Sequence, residues 1–267
     1  MSGPPASSAM PWSGGVITPH ATCILAPNPG PMTLDGTNTW VVMSPSADEA
    51  IVVDPGPRLR EHLEAVAGFV AGRQARVVAT VLTHGHPDHA DGAQEFAELT
   101  GSPIRAVGRG HDDLADGDVL RAGPVELRVV ATPGHTADSV SFVLDADSAL
   151  LTGDTVLGRG TTVVAHPDGE LAAYLDSLER IRELVGGGSV ATILPGHGPM
   201  VPDAAAMVAF YQQHRRERLE QVRQALADGA EGVDDVLNAV YAELPAEVWP
   251  AARLSIAAQL DYLAAAD

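Results

Sequence analysis

The stretch VLTHGHPDHADG, residues 81–92, places His84, His86, Asp88 and His89 directly after an apolar run. Imidazole nitrogens and carboxylate oxygens are the donors that zinc, iron and manganese accept. His84 and His86 are two residues apart, so on an extended segment they face the same side. Pro87 suits the first turn of a helix, which puts Asp88 and His89 at the turn into it. The ordinary alternative is a solvated, histidine-rich loop. The preceding apolar run argues against it, because a rigid strand end holds several side chains at fixed angles over a cleft.

Three further segments end an apolar run in a single ligand type: VVATPGHTADS with His135, ALLTGDT with Asp154 and TILPGHGP with His197. Each of these ligands follows a glycine, which lets backbone approach a site closely. A lone histidine after a strand is usually an ordinary loop or core residue. Together, however, the four segments supply seven ligands, a number that suits two metal ions better than one.

The elements that must position these residues can be read from patterning. Residues 38–43, 50–53, 75–83, 103–107, 125–130, 139–145, 148–154 and 190–198 read as strands, being short, β-branched and bounded by turn signals. Residues 58–72 and 169–185 carry apolar side chains at helical spacing, and a third helix is expected from Pro87 to about Leu99. After the segment 199–204 only helices are expected, at 205–227, about 233–243 and 248–264. The expected organisation is therefore a disordered tail over 1–15, a mixed α/β domain over 16–203 and a helical C-terminal domain over 204–267.

The sequence of 267 residues has a formal charge of −19, and its 16 basic residues are all arginine. Such a surface gives no long-range help in binding nucleic acid, so an anionic substrate must be caught locally, by metal or by a few arginines. Residues 205–267 hold five arginines against ten carboxylates, and the last helix carries only Arg253, so no DNA-reading surface is expected. No apolar stretch is long enough to span a bilayer and the N-terminus lacks the pattern of a signal peptide, so a cytoplasmic protein is expected. Cys23 is the single cysteine, which excludes an internal disulfide.

The motifs THGHPDH, PGHTADS, LTGDT and PGHGP, in this order, resemble the metallo-β-lactamase fold superfamily. The resemblance covers roughly residues 16–203. It implies an αββα sandwich with the site along one edge of its two sheets. It further implies that His84, His86 and His135 hold one metal ion, that Asp88, His89 and His197 hold a second, and that Asp154 bridges them. The implied cofactor is two divalent ions, with zinc the first choice. Residues 26–42, 152–162 and the helical tail are similar to the group around β-lactamase-like protein 2, which adds a winged-helix-like C-terminal region and whose animal member is an endoribonuclease of single-stranded RNA.

The resemblance implies a hydrolase in which a hydroxide shared by two ions attacks phosphorus or a carbonyl carbon, with Asp88 orienting or deprotonating the water. An RNA phosphodiester is one expected substrate. A small thioester, ester or lactone, as in glyoxalase II, is another, and an iron dioxygenase on the same scaffold is an alternative of a different class. Thr37 and Asn38 in DGTNTW and Arg159 in LGRGTT are candidate substrate contacts. His20, His62, His111, His166 and His214 match no motif and are expected to be ordinary histidines. The helical tail is expected to serve as a lid over the cleft or as the contact of a homodimer.

Overall fold

The computed structural model describes residues 11–108, 110–243 and 245–266. The first sheet runs β1 (Gly15–Val16), β2 (Ala21–Leu25), β3 (Asn38–Val42), β4 (Glu49–Val53), β5 (Arg76–Val81), β6 (Ile104–Ala106) and β7 (Asp112–Asp113), in that spatial order. The second sheet is built from β8 (Val119–Ala122), β9 (Val125–Ala131), β10 (Val140–Leu144), β11 (Ala149–Gly153) and β12 (Thr192–Pro195), ordered β12-β11-β10-β9-β8. The helices are α1 (Arg60–Ala71), α2 (Pro87–Ala90), α3 (Ala93–Thr100), α4 (Leu171–Gly186), α5 (Ala204–Ala227), α6 (Val233–Val240) and α7 (Trp249–Ala266).

Side-chain alternation along the strands sorts the chain into layers. Trp40, Val42, Ile51 and Val53 face the second sheet and meet Leu127, Val129, Phe142 and Leu151. Their neighbours Val41, Ala50 and Val52 face outward and pack on Leu63, Val66 and Val70 of α1 and Phe96 of α3. On the far side Val130, Val143, Leu150 and Ile193 pack under α4. This is the expected αββα sandwich.

The C-terminal helices extend the same apolar cluster. Tyr174 and Ile181 of α4 share it with Met207 and Tyr211 of α5, Leu237 of α6 and Ile256 of α7. After Asp203 the regular elements are α5, α6, α7 and one short 3-10 turn, and no strand follows β12 among the described residues.

Three local features differ from the patterning. The helix expected over 87–99 is two helices, interrupted at Asp91 and Gly92. The Gly92 N–H donates to the Gly56 carbonyl at 3.0 Å, and a Cβ on Gly92 would stand 2.8 Å from that oxygen and 2.9 Å from Leu63. Strand β2 pairs with β3 over its full length, and β8 forms a hairpin with β9; neither carries a run long enough to stand out in sequence. Of the tail expected over 1–15, residues 1–10 lie outside the described residues. Beyond them, Trp12 Nε1 donates to Asn38 Oδ1 at 2.8 Å and β1 pairs with β2.

Candidate metal centre

The seven candidate ligands converge on one edge of the sandwich. His84 follows β5, His135 lies in the turn after β9, Asp154 follows β11 directly and His197 follows β12. β11 and β12 run parallel, which brings Asp154 and His197 to the same edge. The two sheets are tied together beneath them: the Asn38 N–H donates to the Gly196 carbonyl at 2.8 Å, and the Val140 N–H donates to the Thr83 carbonyl at 2.8 Å. Gly196 is required by close approach, since a Cβ there would stand 2.5 Å from Asp154 Oδ1 and 2.8 Å from His89 Cε1.

The ligand atoms fall into two groups, His84, His86, His135 and Asp154 in one and Asp88, His89 and His197 in the other. In the first, His86 Nδ1 lies 3.1 Å from His84 Nε2 and 3.0 Å from His135 Nε2. Asp154 Oδ2 is 3.8 Å from His135 Nε2 and 3.3 Å from His197 Nε2, so this carboxylate stands between the groups. In the second, His197 Nε2 is 3.2 Å from His89 Nε2 and 3.1 Å from Asp88 Oδ2.

The outward nitrogens fix the tautomers. Thr83 Oγ1 donates to Asp54 Oδ2 at 2.7 Å, which leaves its oxygen to accept from His84 Nδ1 at 3.0 Å. His89 Nδ1 donates to Asp54 Oδ2 at 2.8 Å, His135 Nδ1 to the Val163 carbonyl at 2.6 Å and His197 Nδ1 to the Gly36 carbonyl at 3.2 Å. With Nδ1–H engaged outside, each Nε2 lone pair faces inward, the arrangement of ligating histidines. Asp154 Oδ1 is buried with no hydrogen-bond partner; His89 Nε2 stops 3.5 Å away. Converging nitrogen lone pairs beside an orphaned carboxylate oxygen fit divalent cations and leave the donors poorly satisfied without them.

A scan against protein-family models matches the metallo-beta-lactamase superfamily over residues 32–116 and 108–197. The chain belongs to the metallo-beta-lactamase superfamily. It is 35% identical to a beta-lactamase-like protein 2 homolog of Caenorhabditis elegans, covering 86% of this chain and 79% of the relative. It is 34% identical to an atrochrysone carboxyl ACP thioesterase of Aspergillus chevalieri, covering 87% and 76%. The solved structure of a beta-lactamase domain protein from Burkholderia ambifaria superposes with a TM-score of 0.80 at 22% identity, over 99% of this chain and 92% of that one. Metallo-beta-lactamase superfamily members are metal-dependent hydrolases, and the His/Asp cluster of this chain is its candidate site for divalent metal.

Electrostatics separates the two groups. Burial lowers the His84 pKa well below its usual range, and the neighbouring His89 adds to this. Burial also opposes charge on His89, but Asp154, Asp54 and Asp88 outweigh it and hold this imidazole well above its usual range. His197 is likewise raised, to about 9, with Asp154 overcoming its burial. Asp88 is held well below the usual carboxylate range because His89 and His197 outweigh its desolvation. Charge on the metal-free centre therefore collects on the Asp88, His89, His197 side.

Of the softer candidates, Thr37 is fully buried and its Oγ1 donates to Asp88 Oδ2 at 3.2 Å. Asn38 is also buried, and its amide is spent inside the fold: Nδ2 donates to the carbonyls of Pro195 and Gly198, both at 2.9 Å. Arg159 pairs with Asp35 and lines a cavity of about 290 Å³ that opens on His135 and Asp154. The cavity runs from Met32 and Leu34, past Leu157, to Tyr241 and to Val248 and Ala252 near and on α7. Its far wall includes His214 and Arg215 of α5. No motif in the sequence marks His214 or Asp54 as part of a site, whereas Arg215 stands in the basic cluster HRRER, 214–218, which could equally touch a phosphate or be a solvated face. Cys23 is buried, and burial pushes its thiol far above the thiolate range, so it supplies no nucleophile.

Proposed function

We propose that this chain is a metal-dependent hydrolase of small carboxylic thioesters and esters. The carrying observation is the cavity beside the metal centre. It is small, its walls include Met32, Leu34, Leu157, Val248 and Ala252, and it ends against the C-terminal helices. Such a compartment suits one acyl chain or small leaving group. The thioesterase name of a relative 34% identical over most of this chain supports the same class. The helical tail serves as a wall of the substrate cavity within its own chain.

His84, His86, His135 and Asp154 would hold one divalent ion, and Asp88, His89 and His197, with Asp154 shared, the other; zinc fits these nitrogen and oxygen donors. Held there, divalent ions would supply a water of lowered pKa and positive charge for the oxygen of the scissile carbonyl. Asp88, held by the Thr37 hydroxyl, would orient the attacking water and take its proton. The oxygen of water bonds to the carbonyl carbon, the carbon–sulfur or carbon–oxygen bond breaks, and the departing group takes up the proton. Thr83 and Asp54 keep the His84 and His89 rings in their ligating tautomers.

A second reading, cleavage of single-stranded RNA, is favoured by the 35% identity to a beta-lactamase-like protein 2 homolog. The formal charge of −19 weighs against it. One experiment tests both: metal content of the purified chain, then turnover of butyryl thioesters and of single-stranded RNA, each with Asp88→Asn alongside. Thioester turnover lost in the variant, with two ions per chain in the parent, supports the proposal. RNA cleavage lost in the variant with no thioester turnover overturns it in favour of the second reading.

A further inference from the structure

Among the arginines of this acidic chain, Arg215 has an unusual setting. It is 6% exposed, so it is a buried cation. Its Nη2 donates to the Thr162 carbonyl at 2.5 Å, and its guanidinium lies 4.8 Å from the centre of the Tyr174 ring. Its Nε has no hydrogen-bond partner. No carboxylate pairs with it among the described residues, although most of the other arginines have one. Burying a guanidinium without an anion is costly, and proteins normally offset it with a carboxylate or a bound anion.

Arg215 also lines the cavity that opens on His135 and Asp154. One turn further along α5, Arg218 lines the same cavity. It donates to Gln221 Oε1 at 2.9 Å and to the Val240 carbonyl at 3.3 Å and lies over the Tyr241 ring, with no carboxylate partner among the described residues. Two arginines with no carboxylate partner among the described residues thus line one small cavity, together with Arg159, which Asp35 pairs, and with Asp154 at its mouth, in a protein of formal charge −19.

We propose that Arg215, supported by Arg218, binds a carboxylate or phosphate group of the substrate, so that the preferred substrate is an anion-bearing thioester or ester. The inference rests on the hydrolase reading above for the identity of the bond cleaved, but the anion subsite is a property of the cavity itself. The planar guanidinium matches an oxyanion with two donors, and the apolar walls strengthen that contact by excluding water. The plain structural alternative is that Arg215 only latches α5 to residue 162. It explains the bond to Thr162 but not the unpartnered Nε, nor the second unpaired arginine beside it.

Three thioesters and one direct binding measurement test this. The thioesters are butyryl-N-acetylcysteamine, which is neutral, glutaryl-N-acetylcysteamine, with the anion on the acyl side, and butyryl-3-mercaptopropionate, with the anion on the thiol side. One anionic thioester is expected to exceed the neutral one in kcat/KM by about 10- to 100-fold, as fits a charge-assisted contact. The better one identifies the side the cavity receives. Arg215→Gln should bring that ratio close to one, and Arg215→Lys should restore part of it. Calorimetric titration of the full chain with glutarate should show binding that Arg215→Gln or Arg218→Gln weakens about tenfold or more. Melting curves identify a variant that fails to fold, in which case Arg218→Gln carries the test. Equal kcat/KM for all three thioesters, or glutarate binding unchanged in both variants, would overturn the anion subsite while leaving the thioesterase reading standing. No turnover of any thioester, with glutarate binding lost in Arg215→Gln, would overturn the hydrolase reading and keep the subsite.

Discussion

Asp54 Oδ2 accepts from His89 Nδ1 at 2.8 Å and from Thr83 Oγ1 at 2.7 Å, so one buried carboxylate orients histidines in both ligand groups. Asp54 sits at φ 51°, a left-handed conformation that asparagine tolerates well. Asp54→Asn should therefore fold while losing the charge that polarises His89. Metal affinity is expected to fall about 10- to 100-fold, read by competition with a coloured chelator. Unchanged affinity would show that the tautomers are fixed by other means.

Asp88 is the most exposed candidate ligand of its group, and the proposed mechanism gives it the proton-accepting role. Asp88→Asn keeps the shape and the Thr37 contact. Turnover should fall by about a hundredfold to ten-thousandfold, while the metal-free protein still folds but melts lower than the parent, because the ionised carboxylate beside His89 and His197 is lost. Elemental analysis of the same sample separates a loss of metal from a loss of proton transfer.

Gly196→Ala places a Cβ 2.5 Å from Asp154 Oδ1. Overpacking of this kind costs about 1–3 kcal/mol, and here it displaces a metal-ligand candidate. The expected outcome is a folded protein with reduced metal stoichiometry. A variant with full metal content would show that the Asp154 loop shifts freely.

Removal of metal should lower stability, because cations bind the folded arrangement of ligands and not the unfolded chain. At metal a thousandfold above its dissociation constant the linkage is worth about 4 kcal/mol, or roughly 10 °C in Tm. Calorimetry with and without a chelator measures it. In Asp154→Ala the chelator should have a much smaller effect, since this residue stands between both groups.

His62 gives an acid limb of stability independent of metal. It is buried, its Nε2 lies 2.9 Å from Thr39 Oγ1, and burial lowers its pKa to about 4 from the usual 6.5. The unfolded chain therefore binds a proton that the folded chain refuses between these values. Its contribution is fully present above pH 6.5 and is lost as pH falls toward 4, about 3 kcal/mol at most. Urea melts of chelated protein across pH 4 to 7 should show a shallower fall for His62→Gln than for the parent.

The sequence by itself determined the donors and the order in which strand ends deliver them. THGHPDH, His135, Asp154 and His197 stand after apolar runs, and that local pattern survives because a strand end is fixed by its own few residues. Most of the elements were legible for the same reason. Tertiary structure decided the rest. The break at Gly92 arises from contact with Gly56 and Leu63, distant in sequence, and β2 exists because β3 offers it a full register of hydrogen bonds. Asn38, adjacent to Thr37, turns away from the ligands to bind two carbonyls some 160 residues on. Asp54 and His214 carry no motif, and the cluster HRRER, 214–218, does not tell that Arg215 is the buried one, because what makes these residues part of a site is who faces them. That depends on the closing of two sheets and on the packing of α5 against α4, neither of which leaves a periodic trace along the chain.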